Sequence, residues 1–395
     1  MGFSTMTAVF LKARTAAAGT GAMLFLAACQ PVGMTGPSTG PKIDPGQPVP
    51  VALLVPTGTG NAGEAAIAAS LTNAAKLAAA DVRGARIDLR VYDSGGSAGT
   101  AAAAAQKAVD AGARIIVGPL HAEAANGAGA AVADEGVNVL AFSNNPAVAG
   151  GNVFVLGNTF DSSANRLVAY AKRQGKSRIF VATGDDIAGQ AAGAAVEAAM
   201  ARNRATLAGK QVHSLSVQGV DAASAQIKAA AASGQADAVM LTADPFGALP
   251  FLLKSLNAAG VSGQSAQFLG LTRWDANPAV LNEPAAQGAW VAMPDPAVQS
   301  QFKARYQAAY GSSPHQLAGL AYDAVAAIGA LAARGNPNAL TTGALTSGAG
   351  FAGVNGAFRL RPDGTNQRAL AIGQVRGNQL VVVDPAPRSF GGAGF

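Results

Sequence analysis

Side chains that could bind a small ligand recur in this sequence directly after short apolar runs, where buried strands would end. In open α/β sheets, ligands bind in the crevice outside the carboxyl ends of the strands. We therefore expect a ligand cleft formed by hydroxyl, amide, charged and aromatic side chains at predicted strand ends and crossovers: Thr57, Thr59, Asn61, Ser143, Asn144, Asn145, Thr159, Asp161, Asp185, Asp244, Arg273, Trp274 and Tyr322. We single out Thr57, Ser143 and Asp185, each of which could instead cap a helix.

The turn after the first apolar run also satisfies a dinucleotide-binding pattern. Residues 58–63, GTGNAG, read G-x-G-x-x-G after a predicted strand and before a predicted helix. The full fingerprint needs an acidic residue about 20 positions further on to bind a ribose. Asp93 ends the next predicted strand, but it lies 30 residues past Gly63 (93 − 63). We therefore interpret this segment as a mobile glycine-rich loop and predict no cofactor.

The residues of a catalytic or metal site do not come together in the sequence. The three histidines, His121, His213 and His315, lie in separate segments without a partner at metal-ligand spacing. His121 could face the cleft or be an ordinary polar loop residue. There is no G-x-S-x-G motif, and the adjacent carboxylates of Asp185 and Asp186 would point apart on an extended loop. We predict no catalytic residue, no metal and no enzymatic activity.

The amino terminus has the features of an export signal. Lys12 and Arg14 precede an apolar stretch that ends in LAAC at residues 26–29, and Cys29 is the only cysteine of the chain. This pattern resembles a bacterial lipoprotein signal, in which the cysteine is lipidated and becomes the mature amino terminus. The alternatives are an ordinary secretory signal or a transmembrane anchor, although the run is shorter than the roughly 20 residues of a span. The resemblance implies a periplasmic protein anchored by lipid, with Gln30 favouring the outer membrane over the inner.

Composition limits the classes of partner. Charged residues are 13% of the chain, and removal of residues 1–28 with Lys12 and Arg14 would leave 26 basic and 22 acidic residues, a net charge of +4. No basic stripe is visible, so we predict no nucleic-acid partner. With one cysteine there is no disulfide framework, and stability must come from buried apolar area. Residues 29–50 are rich in Gly and Pro and are predicted to form a flexible tether.

From residue 51 onward, short apolar runs alternate with alanine-rich segments of helical periodicity. This alternation predicts α/β layers, with one of the strands at residues 211–217. About 345 residues follow the predicted tether, a length that favours two lobes. Near the carboxyl terminus, residues 356–360 and 370–383 are predicted antiparallel strands, and Pro362-Asp363-Gly364 between them is a strong turn signal.

The order of these elements resembles the type 1 periplasmic binding proteins of the leucine-binding class. The likeness is carried by the glycine loop after the first strand, VGPL at 117–120 and FSNN at 142–145. It implies two Rossmann-like lobes joined by a three-strand hinge, with a cleft that closes on a ligand. We place the crossovers near 157–161, 293–296 and 350–353. The implied lobes are 51–158 plus 294–350 for lobe 1, and 159–293 plus 351–386 for lobe 2.

Four longer segments resemble a subset of these lipoproteins named penicillin-binding protein activators, namely residues 153–186, 274–295, 302–326 and 356–390. This resemblance implies a non-enzymatic regulator of penicillin-binding peptidoglycan synthases. The alternative is the substrate-binding receptor of an ABC importer for branched-chain amino acids or a related small solute.

The residues that would bind a free amino acid depart from the pattern of amino-acid binders. His121 to Ala124 replace a Ser/Thr segment, Ser143 is followed by a shorter turn, Ala188 replaces a tyrosine, and Leu271 to Arg273 replace an acidic position. We therefore expect a ligand other than a free amino acid.

Overall fold

The computed structural model describes residues 40–263 and 266–390. The predicted signal peptide and residues 29–39 of the predicted tether, with Cys29, lie outside these residues. Among the described residues, no helix combines the length and the apolarity that a membrane span requires.

The secondary structure alternates between strands and helices along most of the chain. The strands are β1 (Val49–Val55), β2 (Ile87–Asp93), β3 (Ile115–Val117), β4 (Val139–Ala141), β5 (Val153–Val155), β6 (Arg178–Gly184), β7 (Thr206–His213), β8 (Ala238–Leu241), β9 (Gln267–Gly270), β10 (Trp290–Met293), β11 (Phe358–Leu360), β12 (Asn366–Arg368), β13 (Ala371–Arg376) and β14 (Gln379–Asp384). The helices are α1 (Ala62–Asp81), α2 (Ala98–Asp110), α3 (Ala122–Ala131), α4 (Phe160–Arg173), α5 (Ile187–Asn203), α6 (Val217–Ala232), α7 (Leu249–Ala258), α8 (Pro278–Leu281), α9 (Pro296–Tyr310), α10 (Ala318–Ala332) and α11 (Thr342–Leu345).

Lobe 1 is built on a parallel five-stranded sheet in the order β2-β1-β3-β4-β5. Successive side chains of a strand point to opposite faces of the sheet. Leu53 therefore packs into one core with α1 and α10, and Leu54 packs into the other with α2 and α3. Because both faces are covered by helices, the apolar run of β1 is continuous rather than alternating.

Lobe 2 is built on a seven-stranded sheet in the order β14-β13-β10-β9-β8-β6-β7. Strands β6 to β10 pair in parallel, whereas β13 pairs antiparallel with both β10 and β14. Helices α4 and α5 cover one face, and α6 and α7 cover the other. The two lobes with their layered sheets form the type 1 periplasmic binding protein fold predicted from the sequence.

Two predictions for the strands of lobe 2 are wrong. The strand predicted at 211–217 lies at Thr206–His213, and Ser216 caps the following helix by accepting from Gly219 N. The single strand predicted at 370–383 is a hairpin. Gly377 and Asn378 form its two-residue turn with φ values of 55° and 64°, the positive pair that a type I′ turn requires.

The chain passes between the lobes three times, at residues 156–159, 294–295 and 369–370. The third crossover predicted near 350–353 is wrong, because Phe351 and Val354 are buried in the core of lobe 1. The β11-β12 hairpin also belongs to lobe 1, since Asn366 Nδ2 donates to Val155 O at 2.9 Å and to Gly157 O at 2.8 Å. We propose lobe bounds that extend lobe 1 to residue 368.

The predicted tether ends earlier than residue 50. Ile43 is buried in the core of lobe 1, and its amide donates to Pro337 O at 2.9 Å. Strand β1 then begins at Val49. The tether prediction is therefore wrong for residues 43–50, because an apolar side chain anchors this segment to the folded body.

Candidate functional site

A cavity of about 840 Å³ lies between the two lobes. The loops after β3, β4 and β5 line it from lobe 1, and the loops after β6, β7, β8 and β9 line it from lobe 2. Both sheets thus present the carboxyl ends of their strands to the same space, as open α/β sheets do at their ligand sites. A volume of this size suits a small molecule.

Six of the thirteen side chains predicted from the sequence line this cavity: Ser143, Asn144, Asn145, Asp185, Asp244 and Arg273. Ser143 Oγ accepts from Asn145 N at 3.1 Å, and Asp244 Oδ1 accepts from Phe246 N at 2.8 Å. These bonds shape the two loops. Arg273 forms a bidentate ion pair with Asp275, with Nε–Oδ1 at 2.7 Å and Nη2–Oδ2 at 2.6 Å.

The three residues predicted from the glycine loop do not line the cavity. Thr57 N donates to Asp93 Oδ1 at 2.9 Å. Thr59 Oγ accepts from Asn61 N at 3.4 Å. Asn61 caps α1 by accepting from Gly63 N at 2.8 Å and from Glu64 N at 3.3 Å. The cleft prediction is wrong for these three, because the loop contacts Asp93 of β2 and the first turn of α1 and does not line the cavity.

Four other predicted residues also lie outside the cavity lining. Thr159 caps α4 through Ser162 N, and Asp161 pairs with Arg202 on the neighbouring helix α5. Two are aromatic: Trp274 is fully buried in the core of lobe 2, and Tyr322 Oη donates to an Asp81 oxygen at 2.7 Å. The prediction is wrong for all four, because their side chains contact other groups of the protein and do not line the cavity.

Asp93 binds the backbone of the glycine loop, in place of the ribose contact that the dinucleotide-binding pattern requires. Its Oδ1 accepts from Thr57 N, Gly58 N and Gly95 N at 2.9, 3.0 and 3.0 Å. A Cβ on Gly58 would lie 2.1 Å from Asp93 Oδ2, so a larger residue there would displace this carboxylate. Backbone donation, first from Gly95 and then from Gly58 and Thr57, holds the pKa of Asp93 below its usual value against the opposing effect of burial.

Replacing Asp93 with Asn is expected to lower the free energy of unfolding at pH 7 by about 1 kcal/mol, because charge-assisted bonds are lost from an exposed site. A depressed folded-state pKa adds stability above the pKa of the unfolded chain, and this stability is lost as pH falls through the folded value. The difference between wild type and variant should therefore vanish in acid. Urea unfolding from pH 7 to pH 2 measures it, with Asp134→Asn as the exposed control. Equal stability at pH 7 would contradict the role of Asp93.

Several cavity-lining residues were missed in the sequence. His213 and Arg368 are 3% and 4% exposed, and both line the cavity together with Asn158. His213 was missed because the end of β7 was placed four residues too late, and Arg368 because the third crossover was placed at 350–353. If β7 had been predicted to end at residue 213, the strand-end rule would have placed His213 at the cleft.

No group of three or more His, Cys, Asp or Glu side chains is placed to bind a metal ion within residues 40–263 and 266–390. His121 Nε2 lies 3.0 Å from Glu64 Oε1, and this contact involves one acidic residue only. The lining is thus a set of hydrogen-bonding, charged and apolar side chains.

Solved structures share this architecture. A putative branched-chain amino acid ABC transporter protein from Rhodospirillum rubrum is 20% identical with a TM-score of 0.72, covering 85% of this chain and 100% of its own. A substrate-binding protein from Desulfitobacterium hafniense in complex with Leu is 17% identical with a TM-score of 0.63, covering 85% and 100%. A solute-binding protein from Rhodopseudomonas palustris in complex with 3,4-dihydroxybenzoic acid is 18% identical with a TM-score of 0.56, covering 86% and 98%.

No curated protein matches the chain significantly. At identities of 20% and below, the structural similarities establish the fold alone. The sequence profile of one family, described as periplasmic binding protein, matches residues 48–379. The matched segment is more than half of the chain and includes strands β1 to β13 and all three crossovers, so this chain belongs to the periplasmic binding protein family.

Proposed function

We propose that this protein is a non-enzymatic receptor that binds a small solute between its two lobes. The observation that carries the proposal is the cavity of about 840 Å³ at the carboxyl ends of both sheets. Ligand sites of soluble proteins are typically concave and mostly apolar, with a few polar groups that orient the ligand. The lining fits this description, since Phe142, Leu271 and Leu320 lie beside Asn144 and Asp185. Delivery of the solute to an ABC importer is supported by the fold that the chain shares with such receptors.

A screen of small solutes by thermal shift tests solute binding. A ligand that binds only the folded state stabilises it by about 2.7 kcal/mol at a hundredfold excess over Kd. We expect at least one solute to raise the melting temperature of wild type by several degrees. Ala188→Trp, which fills the cavity, should abolish the shift, whereas Ala198→Trp, on the exposed side of the same helix, should retain it. A screen in which no solute acts through the cavity would contradict the proposal.

Regulation of a peptidoglycan synthase is the second candidate function, favoured by an apolar rim on lobe 2. The rim consists of Ile187, Leu215, Val217 and Phe246, and Ile187 is 87% exposed. These residues follow β6, β7 and β8, which are neighbours in the sheet. Exposed apolar patches mark interaction sites on soluble proteins. The sequence resemblance to penicillin-binding protein activators supports such a partner. Purified penicillin-binding synthases should bind the wild-type protein. They should bind the double variant Ile187→Ser, Phe246→Ser more weakly.

We also propose that the mature protein begins at a lipidated Cys29 and resides in the periplasm on the outer membrane. Mass spectrometry of the membrane fraction should find an acylated Cys29 as the first residue. Cys29→Ala should carry no lipid. The Gln30→Asp variant should be found in the inner membrane fraction, whereas the wild-type protein should be found in the outer membrane fraction. An unmodified Cys29 in the membrane-bound form would contradict the anchor.

A further inference from the structure

The acidic side chains of the cavity have no cationic partner. Asp185, Asp186 and Asp244 line the cavity from lobe 2. Asp186 Oδ1 accepts from Gly189 N at 2.6 Å, and Asp244 Oδ1 accepts from Phe246 N. Within the described residues, none of these three carboxylates forms an ion pair. Asp186 caps the amino end of α5, whereas Asp185 and Asp244 leave negative charge without a cationic partner on the lobe 2 wall, although the chain as a whole carries a net positive charge.

The arginines of the cavity, in contrast, are already neutralised. Arg273 is held by both oxygens of Asp275. Arg368 Nη1 lies 3.0 Å from Asp323 Oδ2 in a pair that is almost fully buried. Neither Asp275 nor Asp323 belongs to the cavity lining. A ligand carboxylate entering the cavity would thus meet no arginine that lacks an acidic partner.

Among the helices that begin at the cavity, α3 has an amino end that could attract an anion, because a helix amino terminus carries partial positive charge. His121, at the N-cap position, makes no capping hydrogen bond. Two carboxylates already lie at this helix end, since Glu64 contacts His121 at 3.0 Å and Glu123 occupies the first turn. This helix end is therefore compensated by the protein itself.

Buried groups without partners give a second, independent indication of the ligand. His213 is 3% exposed, lines the cavity, and its Nε2 has no hydrogen-bond partner. Its Nδ1 lies 3.5 Å from Ser214 O, and in the neutral tautomer that donates to this carbonyl, Nε2 is an acceptor. Asn158 Oδ1 is a second unpartnered acceptor in the lining. Both acceptors call for a ligand that donates hydrogen bonds.

One buried donor in the lining also has no partner. Arg368 Nη2 is unbonded, while Nε and Nη1 of the same guanidinium are satisfied by Leu156 O and Asp323. Because Asp323 already neutralises this arginine, a neutral hydroxyl or carbonyl oxygen suffices as the missing acceptor. A buried polar group left without a partner is costly, so a ligand that supplies one gains affinity.

From these charges and unpartnered groups, we infer that the cavity selects an amine: a cation whose remaining polar groups are neutral hydroxyls or amides, without a carboxylate. Asp185 and Asp244 bind the ammonium group, and Arg368 receives a neutral oxygen. Amino sugars, amino alcohols and amino-acid amides belong to this class. The inference rests on the proposed solute binding and names the chemistry of that same site.

Two matched sets of probes test the inference by calorimetry on the mature protein. The first set is leucinamide, leucine and 4-methylpentanoate, and the second is glucosamine, N-acetylglucosamine and glucuronate. In whichever set binds, the cation should bind most tightly and the anion least. Asp185→Asn and Asp244→Asn should each weaken binding of the cation by about ten- to a hundredfold, the effect of losing one charge-assisted contact. Asp134→Asn removes an exposed carboxylate outside the cavity lining and should leave the affinity unchanged.

The outcomes separate this inference from the proposed function. Tighter binding of the zwitterion, the neutral probe or the anion would overturn cation selectivity while leaving solute binding intact. An equal loss of affinity in Asp134→Asn would also overturn it, because a general effect of net charge would then explain the result. If none of the six probes binds, cation selectivity is overturned. The wider solute screen then decides separately whether the cavity binds any solute. Added salt should weaken cation binding by screening.

Discussion

Replacing Arg368 with Ala is expected to lower the free energy of unfolding by about 3–5 kcal/mol, because one partner of a buried ion pair is removed. The side chains of Arg368 and Asp323 are 2% and 0% exposed. Arg368 also donates from Nε to Leu156 O at 2.8 Å, so it joins the end of β12 to the first crossover. Burial raises the pKa of Asp323 and Arg368 opposes this shift. Without the arginine, a carboxylate would remain buried with no cation.

A double-mutant cycle measures this pair by urea unfolding of Arg368→Ala, Asp323→Ala and the double variant. The double variant should lose less than the sum of the single variants, because the second substitution removes the uncompensated charge. Arg305→Ala breaks the exposed ion pair with Asp81 and is the matched control. Its expected cost is below about 1 kcal/mol. A cost for Arg368→Ala as small as that of the control would contradict the structural role of the buried pair.

The parts of the fold that could be predicted from the sequence are those with strong local patterns. Strand β1 and the helix after it were predictable because a strand covered on both faces is a continuous apolar run. Strand β7 lies at the edge of its sheet, and its sequence, TLAGKQVH, contains no such run. The third crossover was misplaced because burial of Phe351 depends on packing against distant segments of lobe 1. Local composition around residues 350–353 does not encode that contact.

The candidate site, like the fold, could be predicted from the sequence only in part. The rule that ligands bind at the carboxyl ends of strands predicted the positions of Ser143, Asp185 and Asp244, and all three line the cavity. The rule gives position along the chain but not the direction of a side chain or the identity of its partner. It failed for Thr57 because Asp93, on the neighbouring strand, binds the loop through three backbone amides. It also failed for Trp274, whose neighbour Arg273 does reach the cavity.

Replacing Trp274 with Ala is expected to destabilise lobe 2 by about 3–5 kcal/mol, the usual cost of deleting a buried aromatic side chain. Trp274 is 0% exposed and packs in the same core as Phe268 and Leu252. Gly270 makes room for the ring, since a Cβ there would lie 2.5 Å from Trp274 Cε2. The tryptophan therefore contributes to stability through packing, and its position after β9 is incidental to the ligand.

Trp274→Phe separates packing from binding, because it leaves a smaller void in the core than Trp274→Ala does and retains an aromatic ring. We expect a smaller loss of stability than in Trp274→Ala and an unchanged affinity for any solute that binds the cleft. Circular dichroism is the appropriate readout of unfolding, since Trp274 is one of only two tryptophans in the chain and its removal alters fluorescence. Arg273→Ala should cost less than about 1 kcal/mol, because its ion pair with Asp275 is partly exposed at the cavity wall. If Trp274→Phe instead lost solute affinity at full stability, the indole would have to contact the ligand.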